Sequence, residues 1–539
     1  WCEALEEAAS NYFASNNSEK MIEILEKQYK TLEDEPQSMS EIAFHQIYKC
    51  ELLEAWDWIN KPNRTDDDFL MAWDIYHKLF LRLSKKLKEV DFYELKNIAP
   101  KLLEIENSTI SVPGLYRCNQ NIITIYKFAP SLSVLKSKQL PRKISMYGSD
   151  GKEYGFLLKG REDIRQDERA MQLFGLVNTL LSVDPVTQRK DLSIKRYSII
   201  PLSFNAGLLG WVPNSDTLNQ LITKYREANK VIPRVELMMI EKTCKHFEDC
   251  PKINKVEIFE SILEKTVGED LQKMLWIQSS SSENWLERRT NFTRSLAVMS
   301  MVGYILGLGD RHPSNIMLDR FSGKVVHIDF GDCFEIAMRR DKFPEQVPFR
   351  LTRMLIKTME VSGIEGNYRM TCENTMRVLR QSRDSLMAIL EAFVYDPLIS
   401  FKLLAQNLLK NENEESKSKA APLNKSSNHE ALEKIKHSIV ENVLKEANLG
   451  SNLENTKLSQ IKQSIALKSM MEEPVGMEVI KQEEEILNET AEVVVSRIAS
   501  KLRGTDYSED PLTVEQQVDK LIKEATNHEN LANGYIGWC

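Results

Sequence analysis

The amino-acid sequence predicts an α+β protein in which a helical bundle precedes a β-rich segment and a long helical segment. Three observations support this fold class. Apolar residues recur at helical spacing up to about residue 90, runs of β-branched and aromatic residues follow between about 110 and 200, and helical spacing returns from about residue 215. With 539 residues the chain is too long for one hydrophobic core, so we expect about three or four domains.

The first ninety residues contain four amphipathic segments, which turn-forming residues separate at 16–17, 34–36 and 61–63. Four such segments joined by short loops predict a four-helix bundle. Further along, four runs are typical of β-strands: residues 122–126, 142–146, 154–158 and 197–200.

Two later segments differ from these elements. An apolar β-hairpin is expected at 316–329, inside the second helical segment. Residues 407–430 contain too little apolar surface to offset the entropy of the chain, so we expect a disordered linker there. Charged amphipathic helices are predicted to resume from 430 to 503.

The composition disfavours several classes of protein. The chain is 42% hydrophobic and 28% charged, as in ordinary soluble proteins. Its 71 basic and 79 acidic residues leave a net charge of −8, which disfavours a generic nucleic-acid-binding protein. The longest apolar run, residues 296–308, is shorter than the about 20 residues that cross a membrane. We therefore expect a buried helix there and no transmembrane segment.

The cysteines and the chain ends lead to two further expectations. The eight cysteines form neither a CxxC pair nor a disulfide framework, so we expect buried thiols in a reducing compartment. The chain starts at Trp1 rather than Met, and we expect it to be a fragment of a longer protein.

The strongest functional signal is the stretch Gly307-Leu-Gly-Asp-Arg-His-Pro-Ser-Asn315, followed by His327-Ile-Asp-Phe-Gly331. Phosphoryl transfer needs a carboxylate near the attacking hydroxyl and oxygen ligands for the Mg²⁺ that neutralises the phosphates. Asp310 and Asn315 keep the five-residue spacing of protein kinases, and Asp329 opens a DFG sequence. The hairpin between them is expected to bring Asn315 and Asp329 together.

These motifs resemble those of the phosphatidylinositol 3-kinase-related protein kinases, and residues 303–310, 329–335 and 348–354 are most similar to its target of rapamycin (TOR) group. The resemblance extends over nearly the whole chain. It implies a two-lobed protein-kinase-like fold, with a β-rich N-lobe and a helical C-lobe. It also implies ATP- and Mg-dependent phosphorylation of Ser and Thr in proteins that control cell growth in response to nutrients.

The resemblance further implies an order of domains. In this order the domains are a rapamycin-binding four-helix bundle (1–92), a linker and the N-lobe with the hinge (93–212), the C-lobe (213–406) with an insertion at about 224–259, the linker (407–430), a helical extension (431–506) and a FATC-like C-terminal domain (507–539). Long helical-repeat regions of the family would lie upstream of this chain.

The resemblance also implies an ATP site. Residues 146–151 look like the loop that covers the phosphates, with Ser149 as a hydrogen-bond donor, although the same residues suit an ordinary hairpin turn. Lys159 is expected to contact the α-phosphate, and Glu162 or Asp167 to hold its ammonium group in place. Trp211 would stack on adenine. The remaining pocket and hinge residues are Tyr197, Leu209, Gly210, Val212, Met317 and Ile328.

The catalytic roles follow the same resemblance. Asp310 is expected to orient the substrate hydroxyl and accept its proton. His312 would place a donor on the transferring phosphoryl group. Asn315 and Asp329 would hold Mg²⁺, with Mn²⁺ as an alternative.

Two alternative functions stay open. Lipid kinases share this architecture, but a phosphoinositide site needs clustered cations, and residues 329–350 mix Arg339, Arg340 and Lys342 with acidic and apolar side chains. That mixture favours a protein hydroxyl as the acceptor. The other alternative is a catalytically silent scaffold, which the intact Lys159 and Asp310 disfavour.

The resemblance also implies that the bundle carries an aromatic groove, which binds substrates and the complex of rapamycin with its immunophilin. At helical spacing, the same residues are also what a simple core would need. His77 stands where the family has Tyr, Leu70 where it has Thr, and Ala9 where Ser is usual, which leaves drug affinity open. The groove residues are Leu5, Ala9, Phe13, Trp73, Asp74, Tyr76, His77 and Phe80.

Other partners also follow from the resemblance. The insertion at 224–259 resembles the segment that binds a β-propeller subunit, although a solvated helical insertion would look similar. The full-length family forms dimers. We expect a cytoplasmic location, with peripheral association with endomembranes as an alternative.

Overall fold

The computed structural model describes residues 1–9, 11–12, 18–33, 36, 39–61, 66–89, 91–116, 120–137, 139–160, 162–244, 246–340, 344–396 and 491–534. The chain divides into two compact units. The first comprises residues 1–168 and 197–213, and the second comprises residues 169–196 and the described residues from 214 onward. The predicted linker at 407–430 and the predicted helices between 431 and 490 lie outside the described residues.

The first unit begins with four helices: α1 (Cys2–Ala9), α2 (Ser18–Glu33), α3 (Met39–Ile59) and α4 (Asp66–Glu89). Their apolar faces form one core, in which Met21, Leu52 and Leu79 are fully buried. The Tyr29 hydroxyl donates to the Leu52 carbonyl at 2.5 Å, so a polar group within this core is satisfied. The predicted four-helix bundle is confirmed.

The rest of the first unit is an antiparallel sheet with two short helices, α5 (Leu95–Ile98) and α6 (Pro100–Leu103). The strand order is β1-β3-β4-β5-β7-β6, and β2 pairs with β4. The strands are β1 (Phe92–Glu94), β2 (Ile125–Phe128), β3 (Ser131–Val134), β4 (Arg142–Gly148), β5 (Glu153–Gly160), β6 (Ile199–Ser203) and β7 (Ala206–Gly210).

The strand predicted at 122–126 begins only at Ile125, so that prediction is wrong at its start. The preceding residues pair with an upstream loop instead. The Val112 N–H donates to the Ile123 carbonyl, and Ser111 and Thr124 form an isolated bridge. Ile122 is 55% exposed, so its side chain is not buried against a face of the sheet.

The second unit is mainly helical, and its helices are listed here in chain order. They are α7 (Arg165–Val183), α8 (Pro185–Arg189), α9 (Leu218–Ala228), α10 (Val235–Thr243), α11 (Lys252–Lys265), α12 (Asp270–Ile277), α13 (Ser282–Leu306), α14 (Arg353–Thr358), α15 (Arg369–Gln381), α16 (Arg383–Val394), α17 (491–503), α18 (Val514–Thr526) and α19 (His528–Leu531). The first turn of α7 belongs to the first unit.

The central helix of the second unit is α13. Every residue from Ser295 to Leu306 is buried, and the apolar run from Leu296 therefore forms the predicted core helix. Tyr368 donates from its hydroxyl to the Ser300 hydroxyl at 2.9 Å inside this core. No helix within the described ranges is long and apolar enough to span a membrane.

A three-stranded antiparallel sheet lies in the second unit, in the order β10-β9-β8. Its strands are β8 (Ser215–Thr217), β9 (Ile316–Asp319) and β10 (Val325–His327). β9 and β10 form the hairpin that the sequence predicts at 316–329, with Ile316 opposite His327. The hairpin turn is closed by the Asp319 carboxylate, which accepts from the N–H groups of Phe321 and Ser322 at 2.9 and 3.0 Å.

Candidate active site

The loop that carries Asp310 starts where α13 ends. Gly307 adopts a left-handed conformation (φ 65°) and closes the helix, as glycine commonly does at this position. A side chain at 307 would also meet the backbone of Glu335 at 2.7 Å. Glycine is therefore needed both to stop the buried helix and to let the segment after the DFG sequence pass close by.

Asp310 and Asn315 are joined directly across this loop. The Asn315 side-chain amide donates to the Asp310 carbonyl at 3.0 Å and to its carboxylate at 3.3 Å. Asp310 itself has φ 58°, a conformation that costs most residues energy but that Asp and Asn tolerate. The left-handed backbone of Asp310 and the hydrogen bond from Asn315 thus fix the direction of the carboxylate. Such uncommon backbone conformations cluster at functional sites.

The hairpin brings Asn315 and Asp329 together at the ends of β9 and β10. The Ile328 N–H donates to the Asn315 carbonyl at 3.0 Å, which extends the ladder by one step. Asp329 follows with φ 61°, and its carboxylate accepts weakly from the Gly331 N–H at 3.4 Å. The backbone of Asn315 is therefore bonded to the residue directly before Asp329, at the end of the hairpin.

Arg311 braces the backbone of this site. Its guanidinium group is buried and donates to the carbonyls of Gly309 (2.8 Å), Ile328 (3.0 Å) and Asp329. Burial lowers the pKa of Arg311, while the nearby carboxylates of Asp329 and Asp310 act in the opposite direction. The residue therefore ties the Asp310 loop to the start of the DFG sequence.

Arg340 and Glu345 also contact Asp310, and neither contact was predicted from the sequence. Arg340 donates to the Asp310 carboxylate at 3.2 Å and also to the carboxylate of Asp332. The Glu345 carboxylate accepts from the Asp310 N–H at 2.8 Å. Because 30 and 35 residues separate these partners from Asp310, no local spacing pattern predicts the contacts.

The charges in this cluster shift the pKa values of its members. Burial raises the pKa of Glu345 and of Asp332, in each case against the attraction of Arg340. For Arg340, burial acts to lower the pKa, but Asp332 and Asp310 outweigh it and the pKa is raised. Arg340 is therefore a permanent cation held between carboxylates.

Two histidines lie near Asp310 and Asp329, and they differ in environment. His312 Nε2 lies 3.8 Å from the Asp310 carboxylate, while its Nδ1 accepts from the Ser314 N–H at 3.2 Å, an arrangement that puts the proton of the neutral ring on Nε2. Burial lowers the pKa of His312, with Asp310 opposing. His327 is buried, and burial lowers its pKa to about 3, so it is a neutral packing residue at neutral pH.

In the first unit, β5 places Lys159 beside an acidic partner. Its ammonium nitrogen lies 3.3 Å from the Glu162 carboxylate, and only 15% of the Lys159 side chain is exposed. Asp167 is 4% exposed at the start of α7. Glu162, one of the two partners named from the sequence, is thus in contact with the Lys159 ammonium group.

The expected hinge residues lie at the end of β7. Leu209 and Val212 are buried, and the Trp211 ring is partly exposed, with the Lys143 ammonium 4.5 Å from its centre. The Gly210 N–H donates to the Ser198 carbonyl at 2.7 Å and the Trp211 N–H to the Gly155 carbonyl at 2.9 Å. Those two N–H groups are therefore already used within the sheet.

The other expected nucleotide residues are placed as follows. Ser149 lies in the turn between β4 and β5, where its hydroxyl oxygen accepts from the Thr124 N–H at 3.1 Å. Tyr197 is half-buried in the first unit, and Met317 and Ile328 are half-buried in the hairpin of the second unit.

The expected groove residues of the bundle are mostly part of its core. Leu5, Trp73 and Tyr76 are 2%, 8% and 1% exposed. Ala9 and Phe80 pack against that core, Asp74 and His77 are exposed, and Phe13 lies outside the described residues. The Tyr29 and Tyr76 hydroxyls lie 3.0 Å apart, and burial raises the pKa of both.

Three family models match the chain. They are described as phosphatidylinositol 3- and 4-kinase (residues 153–403), FKBP12-rapamycin binding domain (1–85) and FATC domain (511–539). Among solved structures, the chain is 22% identical to the FAT and kinase domain of CtTel1, with a TM-score of 0.57, over 99% of this chain and 31% of that one. The fold and the site thus define a catalytic domain of the phosphatidylinositol 3- and 4-kinase type.

Curated relatives narrow the family. The chain is 47% identical to the serine/threonine-protein kinase TOR of Oryza sativa subsp. japonica, over 100% of this chain and 22% of the relative. It is 48% identical to the serine/threonine-protein kinase mTor of Drosophila melanogaster, over 100% of this chain and 21% of the relative. The chain belongs to the TOR family of serine/threonine-protein kinases, and it spans about a fifth of the length of these relatives.

Proposed function

We propose that this chain transfers the γ-phosphoryl group of ATP to Ser and Thr hydroxyls of proteins that control cell growth in response to nutrients. The observation that carries the proposal is the joined set of Asp310, Asn315 and Asp329, in which one hydrogen-bonded hairpin and one left-handed loop position all three side chains. The names of the TOR relatives support a serine/threonine-protein kinase.

The chain's own residues act by positioning and by charge. Asp310 orients the acceptor hydroxyl and takes its proton as transfer proceeds, since its carboxylate is held by Asn315 and Arg340. His312 presents the Nε2 proton to the transferring phosphoryl oxygens. Lys159, paired with Glu162, contacts the α-phosphate.

Asn315 and Asp329 fit a magnesium site. The Asn315 amide nitrogen is used by Asp310, which leaves its carbonyl oxygen for a cation, and Asp329 adds a carboxylate oxygen. Mg²⁺ prefers such oxygen ligands and usually takes one or two protein groups together with phosphate oxygens. An ion held by these two residues would supply positive charge that offsets the charge on the phosphates.

A protein acceptor fits the site better than a phosphoinositide. A multiply charged headgroup needs cations that are available to it. Arg340, a cation within the segment after the DFG sequence, is already held by the carboxylates of Asp310 and Asp332. Because the Arg340 charge is already paired within the protein, it is not available to a headgroup. We therefore infer that the acceptor is a peptide hydroxyl.

An assay with labelled ATP tests this proposal. Wild-type chain would be offered a mixed protein acceptor and phosphoinositide vesicles in parallel, with Asp310→Asn as the matched control because Asn tolerates the left-handed backbone at 310. We expect label on protein Ser and Thr, and its loss in the variant. Label on lipid alone would contradict the acceptor, and no transfer to either would favour a silent scaffold.

Several finer expectations belong to the same proposal. The bundle would bind the rapamycin–immunophilin complex, which the match of residues 1–85 supports. The segment 224–259, which spans the end of α9, α10 and the start of α11, would bind a β-propeller subunit. We also infer a cytoplasmic location, a dimer for the full-length protein, and the domain boundaries that the sequence predicts.

A further inference from the structure

Two cysteines meet in the loop between α10 and α11. Cys244 directly follows α10, and Cys250 lies two residues before the start of α11 at Lys252. Their Sγ atoms lie 2.9 Å apart, in hydrogen-bonding contact. A disulfide has sulfurs about 2.0 Å apart, so less than about 1 Å of movement separates this thiol pair from a covalent bond.

The backbone holds both cysteines in place. The Cys244 N–H donates to the Ile240 carbonyl at 2.8 Å, and the Cys250 N–H to the Phe247 carbonyl at 3.3 Å. The Cys250 thiol also contacts the His246 carbonyl at 3.4 Å. The two sulfurs are therefore brought together by the ends of ordered elements rather than by a chance rotamer.

Both thiols are half-buried, so a small oxidant can reach them. The pKa of the Cys250 thiol is raised, first by its hydrogen bond with Cys244 and then by burial. Cys250 accordingly keeps its proton and is suited to respond in a second step. Among the described cysteines, Cys333 and Cys372 are buried, whereas Cys50 is exposed and serves as a reference thiol.

We propose that Cys244 and Cys250 form a reversible disulfide that makes the α10–α11 loop a redox-responsive modification site. With hydrogen peroxide as oxidant, the Cys244 sulfur attacks one peroxide oxygen, the O–O bond breaks, and a sulfenic acid and one water result. The Cys250 sulfur then attacks the sulfenic sulfur and displaces a second water. Two thiols and one peroxide thus give one disulfide and two waters.

The loop that this bond would close has a structural role. Phe247, inside the loop, is buried in a core with Ile240, Phe259 and Ile262, and this core also contains Ala532 from the C-terminal segment. His528 of α19 extends this contact, with Nδ1 3.1 Å from the Glu260 carboxylate. Closing the short ring would restrain Phe247 and, through this core, the docking of α19.

The test uses the whole chain and hydrogen peroxide as the probe. After graded oxidation, the remaining thiols are blocked with N-ethylmaleimide. The chain is then digested, and the peptide masses are measured by mass spectrometry. We expect a Cys244–Cys250 linked peptide that dithiothreitol reverses, that is lost in Cys244→Ser and Cys250→Ser, and that persists in Cys50→Ser. Full alkylation of both thiols at peroxide levels that oxidise Cys50 would overturn the proposal.

A second measurement uses only the wild-type chain, so it does not depend on whether a variant folds. Amide hydrogen exchange in 244–250 and in α19 should slow by about tenfold in the oxidised chain, because opening this region must then break a closed ring. Unchanged exchange despite a formed disulfide would overturn the restraint on Phe247. Both measurements are independent of phosphoryl transfer, so their outcome is separate from that of the proposed activity.

Discussion

The Asp310 loop and the helical bundle differ in where they place the side chains that are expected to function. In the loop, Asp310 and Asp329 have left-handed backbone conformations and are only half-buried, while Arg311 and the buried α13 hold the backbone in place. In the bundle, Leu5 and Tyr76, which were expected to bind a partner, are themselves buried.

In the Asp310 loop, a substitution should therefore change function with little change in stability. In the bundle, a substitution should change stability together with any binding function. The Asp310 carboxylate, which is catalytic in the proposed function, should be exchangeable without loss of the surrounding fold, because its packing role is small. A bundle residue cannot be changed without loss of core, so any binding role of Tyr76 would come with a cost in stability. Four experiments would break or sharpen this contrast.

The largest expected effect is on catalysis. Asp310→Asn should reduce phosphoryl transfer by about 10²–10⁴-fold, since an amide cannot accept the hydroxyl proton. The melting temperature should stay close to that of wild type, because Asn suits φ 58°. Transfer rates and thermal unfolding measured on the same preparations check both statements, and a large drop in melting temperature would count against the contrast.

In the bundle, we expect a substitution to reduce stability while phosphoryl transfer is kept. Tyr76→Ala should destabilise the bundle by about 3–5 kcal/mol, because it empties a fully buried aromatic site. Transfer to a short peptide should be retained below the melting transition. The control is Tyr76→Phe, which loses only the contact with the Tyr29 hydroxyl and should cost about 1 kcal/mol. Denaturant titrations would measure both, and equal costs would contradict the account.

A smaller, pH-dependent effect is expected where the C-terminal helices meet α13. Burial raises the pKa of Asp506 to about 6, although Gln517 donates to it at 3.2 Å. The folded state therefore prefers the protonated acid, and stability is lost as the pH rises from about 4 to about 6.

Asp506→Asn removes this titration. Above about pH 6 the variant should be more stable than wild type by about 1–3 kcal/mol, and below about pH 4 the difference should vanish. The Tyr304 hydroxyl, which donates to Asp506, keeps a carbonyl acceptor in the variant. Thermal unfolding of both proteins from pH 4 to 8 checks this, and a pH-independent difference would refute the assignment.

The smallest effect is expected for Arg340. Removing it in Arg340→Ala should lower the transfer rate by about tenfold, since the Asp310 carboxylate loses a donor that orients it. The neighbouring Arg339→Ala is the matched control and should be close to wild type. Steady-state rates with a peptide acceptor compare the two, and equal effects would deny Arg340 a specific role.

The sequence predicted those parts of the molecule that depend on short spacing. Asp310 and Asn315 lie five residues apart on one loop, and a hairpin of fixed register joins Asn315 to Asp329, so the pattern alone places them together. The α13 core helix and the four-helix bundle were likewise predictable, because their apolar residues recur at the helical period.

Contacts between distant segments could not be predicted in this way. Arg340 and Glu345 reach Asp310 only because the segment after the DFG sequence folds back, and no periodicity records that path. The false start of β2 has a similar origin, since residues 122–124 read as a strand but bond to an upstream loop. The contact between Cys244 and Cys250 was likewise not predicted, because it depends on how the loop between α10 and α11 folds.

The central claim, that Asn315 and Asp329 hold the metal for phosphoryl transfer, is tested most directly by Asp329→Asn across a Mg²⁺ titration with labelled ATP. Asn fits φ 61° at this position, so the fold should be kept. The account predicts that transfer falls by at least about a thousandfold at low Mg²⁺ and that half-saturation moves to higher Mg²⁺. Equal transfer by both proteins at every Mg²⁺ concentration would contradict it.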